Sequence, residues 1–326
     1  MKRRQLLLAA AGVASLPFAA GAQAPRRIGI VHGSASYFSV GQPVRAEFLA
    51  IMKELGYEEG RNCVFDFREW KLPEEVPDLA RDLVRLKAAV IVASAPPSIL
   101  GVRSVTDRVP IVMVASAEPV ATGLVRSLRQ PGGNVTGLTW DHGFESVVKQ
   151  LELVREALPR VRRVALLWDA TDAVHPIYAR HFEQAAKQVR LDFLSVGLRE
   201  PAEFAAGFAK MAAAKVDALI VIPSAQLTLP HRATILGHAT RHRLPTMTSP
   251  VYLDHAGALL IWAPSQAHVP RRTAAFVDRI LRGANPADLP VEQPDRYLLH
   301  VDLRVARGLG LTIPQGVLVR ADRVIQ

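Results

Sequence analysis

The sequence predicts an α/β protein built from two similar lobes, in which strands and helices alternate along the chain. Three pairs of segments recur in the same order about 130 to 136 positions apart, namely 27–31 with 163–167, 90–94 with 219–224, and 109–111 with 244–246. The strand segments are almost continuously apolar, as expected of parallel sheets that are covered on both faces. Two such lobes create a cleft that can close on a small solute.

The N-terminus has the layout of a secretory signal, which predicts export to the periplasm. Lys2, Arg3 and Arg4 form a charged start, residues 6–14 are apolar, and small residues follow. The apolar run is shorter than the roughly 20 residues that span a bilayer. We expect a signal peptide over residues 1–22, exported by the Sec or the twin-arginine route. A retained N-terminal anchor is the alternative.

Composition and charge favour an ordinary globular protein with an aliphatic core. The chain is 49% hydrophobic with a formal net charge of +10, and its basic residues are scattered among acidic ones. No basic run carries the interleaved aromatic residues expected of a nucleic-acid site, so no nucleic acid is predicted. Cys63 is the single cysteine, which excludes a disulfide framework and a lipidated residue near the cleavage region.

The first lobe begins with the strand at 27–31, followed by a helix in which Phe48, Ile51, Met52 and Leu55 recur at helical spacing. The remaining elements are predicted in chain order, as a strand at 63–67, a helix at 77–86, a strand at 90–93, a short helix, a strand at 111–114, a helix near 120–128 and a strand at 135–138.

The second lobe is predicted to contain a helix at 145–158 and strands at 164–168, 191–196, 219–222 and 246–248. The tail does not repeat the first half, and comprises a crossover at 257–262, an amphipathic helix at 271–281, a linker at 286–293, a strand at 297–301 and a terminal segment at 317–324. A tail of this length is expected to visit the first lobe and return. We therefore assign 26–139 plus about 263–295 to one lobe and 140–262 plus 296–326 to the other.

Ligands of open parallel sheets bind beyond the carboxyl ends of the strands, where this sequence places small polar residues. The first-lobe candidates for ligand binding are Ser34, Ser36, Tyr37, Ser94, Ser98, Ser116 and Glu118. The second-lobe candidates are Asp169, Thr171, Ser224, Gln226 and Ser249. Hydroxyls and free N–H groups suit a carboxylate, whereas Asp169 or Glu118 suits an ammonium group. Trp140 and Trp262, at the two proposed crossovers, can stack on a planar ligand.

Each candidate also has a structural alternative. Ser94 and Ser98 are preferred N-cap residues of the helix that follows them. Glu118 precedes a proline that suits the first turn of a helix, so it can act as a cap. Asp169 starts a turn-forming loop. The two tryptophans can instead pack in the core or at the hinge.

Catalytic motifs are missing from the sequence, which predicts a binding protein rather than an enzyme. It contains no glycine-rich phosphate loop and no nucleophile elbow. His238 and His242 have helical spacing, but the metal motif that uses this spacing also needs a Glu that is absent here. No metal or cofactor is therefore expected.

Four stretches carry a resemblance to a known family, ELGYEEGRN at 54–62, RQPGGNVTG at 129–137, NPADLPVEQP at 285–294 and the ending LGLTIP at 309–314. On these stretches the chain resembles the periplasmic substrate-binding proteins of ABC importers, in the family that contains tryptophan- and phenylalanine-type binders. The similarity runs over essentially the whole mature chain.

The resemblance implies two Rossmann-like lobes of the type I periplasmic-binding-protein fold, joined by hinge strands with a ligand cleft between them. It implies a protein that captures a small solute and passes it to an ABC permease in the inner membrane. We expect a monomer, and an amino acid or related carboxylate is the expected class of solute. It does not transfer the ligand, because SAEPV at 116–120 and DATD at 169–172 depart from the family's usual GGDPV and Asn-Pro-Asn stretches. The alternatives are a periplasmic sensor for a membrane receptor and, least favoured, a periplasmic enzyme.

Overall fold

The computed structural model of the protein describes residues 24–34, 36, 38–140, 143–224, 226–249 and 257–326. The predicted signal peptide, residues 1–22, lies outside the described residues, as does Tyr37. The described chain forms two sheets whose strands alternate with helices, so the predicted α/β class is confirmed.

The first sheet is entirely parallel, with strand order β2-β1-β3-β4-β5. Its strands are β1 (Arg26–Gly33), β2 (Cys63–Trp70), β3 (Val90–Ser94), β4 (Ile111–Ser116) and β5 (Val135–Thr139). The helices between them are α1 (Pro43–Glu54), α2 (Val76–Arg85) and α3 (Pro96–Val105).

Alternate residues of these strands enter two different cores, because side chains of a strand point to opposite faces of its sheet. Val90 and Val92 of β3 belong to the cluster that contains Phe48 of α1. Ile91 belongs to the opposite cluster with Leu83 of α2. The sheet is therefore buried on both faces, which explains why its strands read as continuous apolar runs.

The second sheet has strand order β12-β11-β10-β9-β8-β6-β7 and is parallel except for the antiparallel pair β10–β11. Its strands are β6 (Arg163–Asp169), β7 (Asp192–Leu198), β8 (Ala218–Val221), β9 (Thr246–Thr248), β10 (Leu260–Pro264), β11 (Tyr297–Asp302) and β12 (Arg323–Ile325). The helices that follow α3 along the chain are α4 (Phe144–Ala157), α5 (His175–Gln188), α6 (Phe204–Ala213), α7 (Arg232–Arg241), α8 (Val269–Leu281), α9 (Leu303–Leu309) and α10 (Gln315–Arg320).

The two sheets share one topology over five strands. The order β7-β6-β8-β9-β10 repeats β2-β1-β3-β4-β5 strand for strand. The segments that recur in the sequence lie on equivalent strands, since β1 matches β6, β3 matches β8, and β4 matches β9. The repeat in the sequence thus corresponds to a repeat in the fold.

The tail returns to the first sheet before it ends in the second. Helix α8 packs on α1, and its Phe276 and Val277 lie in the same core as Phe48. Leu138 at the end of β5 pairs with Glu292, after which β11 joins the second sheet. Within the described residues the chain therefore passes between the sheets near 140, 265 and 294. The lobe boundaries assigned from the sequence stay a prediction.

The helix predicted near 120–128 is wrong, because this segment forms a series of turns. Glu118 and Gly123 have positive φ angles of 48° and 72°, which an α-helix does not accommodate. The Arg126 N–H donates to the Pro131 carbonyl, so the chain folds back on itself instead of winding.

None of the helices in the described part of the chain is both long and apolar enough to cross a membrane.

Candidate functional site: a cavity between the two sheets

A cavity of about 150 Å³ lies where the carboxyl ends of both sheets meet. In the first lobe its wall comes from Gly33 and Ser36 after β1 and from Ser94 after β3. In the second lobe it comes from the start of α5, which follows β6, and from Ser224, which follows β8. The strand order of the first sheet reverses between β1 and β3, and that of the second sheet reverses between β6 and β8. Open α/β sheets bind ligands at such a reversal.

Large apolar and aromatic side chains form most of the cavity wall. They come from both lobes and are Trp70, Pro96, Pro97, Trp140, Val174, Tyr178, Phe182, Ile222, Pro223 and Leu229. A wall of this kind favours a ligand with a planar or apolar body.

Trp70, at the end of β2, is fixed by two neighbours. Its Nε1–H donates to Ser98 Oγ at 2.7 Å, and both residues are buried. Its ring lies over Gly33, where an added Cβ would come within 3.0 Å of the ring. The glycine leaves room for the indole, and the serine sets its orientation.

The start of α3 presents proline rings to the cavity instead of backbone donors. Pro96 and Pro97 have no N–H, so they remove two of the amide groups that a helix start normally offers to an anion. Ala95 precedes them with φ 70°, and its N–H is already donated to the Val114 carbonyl. Side-chain hydroxyls supply the polar groups here, since Ser36 Oγ and Ser94 Oγ lie 3.0 Å apart.

The buried Asp172 carboxylate lines the cavity from the second lobe, with 7% of its side chain exposed. Its Oδ1 accepts a hydrogen bond from the Val174 N–H at 2.8 Å. Its Oδ2 lies 3.8 Å from Nε2 of His175. One oxygen is thus fixed by the backbone, while the other faces the imidazole at a distance too long for a hydrogen bond.

His175 is neutral in this setting. Burial lowers the pKa of its imidazole, although the nearby charges of Asp172 and Asp169 and a hydrogen bond to the Pro223 backbone oppose this effect. The Asp169 N–H donates to His175 Nδ1 at 3.1 Å, so Nδ1 is the acceptor and the proton belongs on Nε2. The neutral ring leaves the negative charge of Asp172 available to a ligand.

The turn after β8 is built on Ser224 and Thr228. Ser224 Oγ accepts from the N–H groups of Leu227 and Thr228 at 3.0 and 3.1 Å, and the Ser224 N–H donates to Thr228 Oγ1. Gln226 projects from this turn into the cavity wall, and its buried Nε2 donor has no hydrogen-bond acceptor. A buried amide donor without a partner is costly, so this donor can take a hydrogen-bond partner at the cavity wall at a gain in free energy.

The structure brings six of the predicted site residues to the cavity, namely Ser36, Ser94, Trp140, Ser224, Gln226 and Ser249. Seven others lie outside its wall, and these are Ser34, Ser98, Ser116, Glu118, Asp169, Thr171 and Trp262. Tyr37 lies outside the described residues. Contact of any of these residues with a ligand stays a prediction.

The residues outside the wall have other roles. Ser34 is exposed, whereas Ser98 accepts from Trp70. Asp169 Oδ1 accepts from both the N–H and the hydroxyl of Thr171, which is the turn-forming alternative. Trp262 stacks on Tyr297, with ring centroids 4.2 Å apart.

Ser116 and Glu118 lie just beyond the wall formed by Ala115 and Ala117. Ser116 is fully buried, and its Oγ has no hydrogen-bond partner. The Glu118 carboxylate faces His181 of α5 instead of the cavity.

Trp70, Gln150, His175, Tyr178 and Phe182 line the cavity although the sequence did not single them out. Trp70 is the last residue of β2, whereas the sequence pattern predicted that this strand stops at residue 67. A prediction of the full strand would have placed Trp70 at a carboxyl end. The other four lie on α4 and α5, and no local signal shows which helices border a cleft.

The paired histidines of α7 have a packing role. His238 and His242 stack on Phe208, with ring centroids at 5.0 and 5.7 Å. Among the described residues, no group of three or more His, Cys, Asp or Glu side chains is placed to hold a metal ion.

Comparison with known families identifies the family to which this chain belongs. Residues 43–325 match the family described as ABC transporter substrate binding protein. The chain belongs to this family. The binding protein is thus assigned to a family of solute-binding components and not of enzymes, in agreement with the resemblance seen in the sequence.

Individual relatives are similar over most of their length. A tyrosine-binding protein from Clostridioides difficile strain R20291 is 25% identical over 76% of this chain and 71% of its own. A crystal structure from Streptococcus pneumonia, described as an ABC domain in complex with L-Trp, is 25% identical with a TM-score of 0.82, and the match covers 92% of this chain and 100% of that one. The leucine binding protein LivK of Thermotoga maritima MSB8 shares the fold, with a TM-score of 0.60 at 15% identity over 80% of this chain and 77% of its own. The fold is that of type I periplasmic binding proteins.

Proposed function

We propose that the protein binds an aromatic amino acid in the cavity between its lobes, closes around it and delivers it to an ABC importer. The observation that carries the proposal is the combination of groups in one cavity. A buried carboxylate, a buried amide donor without an acceptor and four aromatic rings line the same space. These groups complement the ammonium, carboxylate and side chain of an aromatic amino acid.

The ammonium group is assigned to Asp172. A carboxylate this deeply buried attracts a cation more strongly than one in water, because the surrounding dielectric constant is low. The neutral state of His175 leaves that charge uncompensated by the imidazole. An ammonium at Oδ2 would form a charge-assisted hydrogen bond.

The ligand carboxylate is assigned to the Gln226 amide and the hydroxyls of Ser36 and Ser94. Gln226 offers its buried Nε2 donor. Of the two serine hydroxyls, one donates to the other, so the pair retains one proton for a further acceptor. These donors take the place of the amide groups that Pro96 and Pro97 lack.

The aromatic side chain is assigned to the space among Trp70, Trp140, Tyr178 and Phe182. Ring pairs prefer offset or edge-to-face packing, and walls on several sides suit a planar ring. The tyrosine-binding relative and the relative crystallised with L-Trp support this choice of ligand.

Calorimetry with ligand fragments tests the assignment. We expect L-tyrosine or L-tryptophan to bind, and 3-(4-hydroxyphenyl)propionate, which has no ammonium group, to bind far more weakly. Asp172→Asn should weaken amino-acid binding about 10- to 100-fold, since a hydrogen bond to a charged group contributes about 1.5–3 kcal/mol.

Asp192→Asn is the matched control for this substitution, because Asp192 is 65% exposed on edge strand β7 and should leave affinity unchanged. Equal binding of the amino acid and its deamino analogue would contradict the assignment of Asp172. If L-tyrosine, L-tryptophan and L-phenylalanine all fail to bind, the proposed ligand class is contradicted.

Delivery to a permease and export to the periplasm belong to the same proposal. The cavity takes its wall from both lobes, which is the arrangement that hinge closure needs. Uptake of labelled L-tyrosine or L-tryptophan by a strain that lacks the protein should fall, and the full chain should restore it. A version without residues 1–22 should fail to restore uptake. Normal uptake in the deletion strain would instead favour a sensor.

A further inference from the structure

Glu118 and His181 meet across the cleft between the two sheets. Glu118 lies in the loop after β4 of the first sheet, whereas His181 lies on α5 beside the second sheet. Glu118 Oε1 and His181 Nδ1 are 3.1 Å apart, and 13% and 22% of the two side chains are exposed. This is a partly buried contact between opposite lobes.

The end of β4 and the loop that carries Glu118 are strained. Ala115 and Glu118 have φ angles of 56° and 48°, a region that residues other than glycine seldom adopt. The register between β4 and β5 shifts between Met113 and Ser116, so a bulge redirects the chain at this point. Such strain persists only where other contacts maintain it, and it is concentrated in ligand clamps and switches.

The same loop reaches the second lobe through an apolar contact. Ala117 packs against the core cluster that contains Tyr178 and Phe182 of α5. Ala117 and Tyr178 also line the cavity, and His181 follows Tyr178 by three residues, which is almost one helical turn. The cavity wall and the Glu118–His181 contact are therefore built from the same two elements.

We infer that Glu118 and His181 form a latch that holds the lobes closed and slows the release of ligand. This inference rests on the proposed closure. Separation of the lobes would break the 3.1 Å contact while leaving each side chain attached to its own lobe. The latch therefore acts on the balance between open and closed forms, and neither of its residues belongs to the cavity wall.

Burial of Glu118 gives a physical reason for its contact with His181. Desolvation raises the pKa of the Glu118 carboxyl, which means that its charge is disfavoured in the closed cleft. The imidazole of His181, 3.1 Å from Oε1, gives the buried carboxyl a polar neighbour in place of water. The neighbouring rings of Phe144 and Tyr178 limit access of water to His181, with centroids 5.7 and 6.4 Å from the imidazole.

A double-mutant cycle on ligand release tests the latch. With L-tyrosine or L-tryptophan as the probe, Glu118→Gln and His181→Gln should each increase the dissociation rate about three- to tenfold. The double variant should show no further increase, because either change alone removes the contact. Additive effects would overturn the latch. Glu183→Gln and Lys187→Gln form the control cycle, since this exposed pair lies on the same helix without crossing the cleft.

A second readout does not depend on the proposed ligand. Spin labels at Leu72→Cys and Arg199→Cys, on the loops after β2 and β7, report the separation of the lobes, whereas native Cys63 is buried. Glu118→Gln and Glu118→Asn should both shift the ligand-free distances to longer values. Asn tolerates the left-handed backbone, so this variant keeps the loop and loses only the reach to His181.

The outcomes separate the two proposals. Longer distances in a protein that binds none of the probes would support the latch and contradict the ligand class. Binding of a probe with unchanged distances and additive release rates would overturn the latch and leave the proposed function intact.

Discussion

His175 shows how a single buried side chain links the cavity to the stability of the fold. Its imidazole is 5% exposed and accepts the Asp169 N–H, and burial lowers its pKa. The folded protein therefore binds a proton at this site less readily than the unfolded chain does. Its contribution to stability is complete above the unfolded value of about 6.5 and is lost as the pH falls below it.

We predict that the free energy of unfolding decreases between pH 7 and pH 5, and that His175→Asn makes this decrease smaller. The Asn side-chain oxygen can accept the Asp169 N–H without taking up a proton. Urea unfolding at a series of pH values measures the slope. His268→Asn, at an exposed position outside the cavity wall, provides the control for replacing a histidine with asparagine. An identical slope in His175→Asn would contradict the prediction.

The backbone conformation of the bulge between β4 and β5 requires a glycine. Gly137 has φ 129°, and a Cβ added there would collide with the backbone carbonyl of Met113. The obstacle is backbone, so a side-chain rotation cannot relieve the collision. Met113 pairs with Gly137 at the point from which the register of the two strands shifts, so this close approach belongs to the bulge.

We predict that Gly137→Ala lowers the free energy of unfolding by at least about 2 kcal/mol, because it combines an unfavourable φ with a steric clash. Gly308→Ala in α9 is the matched control. An added Cβ at Gly308 meets nothing within 4 Å, so this change should stabilise the helix by about 0.5–1 kcal/mol. Denaturant unfolding measures the change in the free energy of unfolding of both variants, and the two changes should have opposite signs. Equal changes would contradict the prediction.

The strands were predictable because each is a local apolar run with a sharp boundary. Val90–Ser94 and its repeat in the second lobe are examples, and the carboxyl-end rule then led to Ser94, Ser224 and Gln226. The turns at 120–128 were not predictable from spacing, since the conformation depends on positive φ angles that a helix pattern conceals.

The aromatic wall escaped prediction for a different reason. Tyr178 and Phe182 are spaced as core residues of α5, and they do lie in the core cluster of the second lobe. Their exposure to the cavity depends on how the first lobe docks against that helix. No local pattern encodes the arrangement of two sheets relative to each other, so these residues read as ordinary core positions.

At the scale of the whole molecule, the duplicated topology places equivalent turns on opposite sides of the cavity. The turn after β3 faces the turn after β8, and their strands occupy the same place in the two sheets. The two turns are not chemically equivalent, because the first carries Pro96 and Pro97 and the second carries the Gln226 donor. The turn after β3 is therefore apolar where the turn after β8 offers a polar donor.

Because both lobes contribute to the cavity, we predict that a bound ligand slows hydrogen exchange in both lobes. At a concentration 100 times its dissociation constant, a ligand that binds the closed form stabilises it by about 2.7 kcal/mol, which slows exchange through opening about 100-fold. In hydrogen exchange with L-tyrosine or L-tryptophan, the N–H groups of Ala95 and Ile99 should be slowed together with those of Leu227 and Thr228. Amides of α10 provide the control, since none of its residues lines the cavity and they should change little. Protection of one turn alone would mean that the ligand binds a single lobe, and closure would then have no part in its capture.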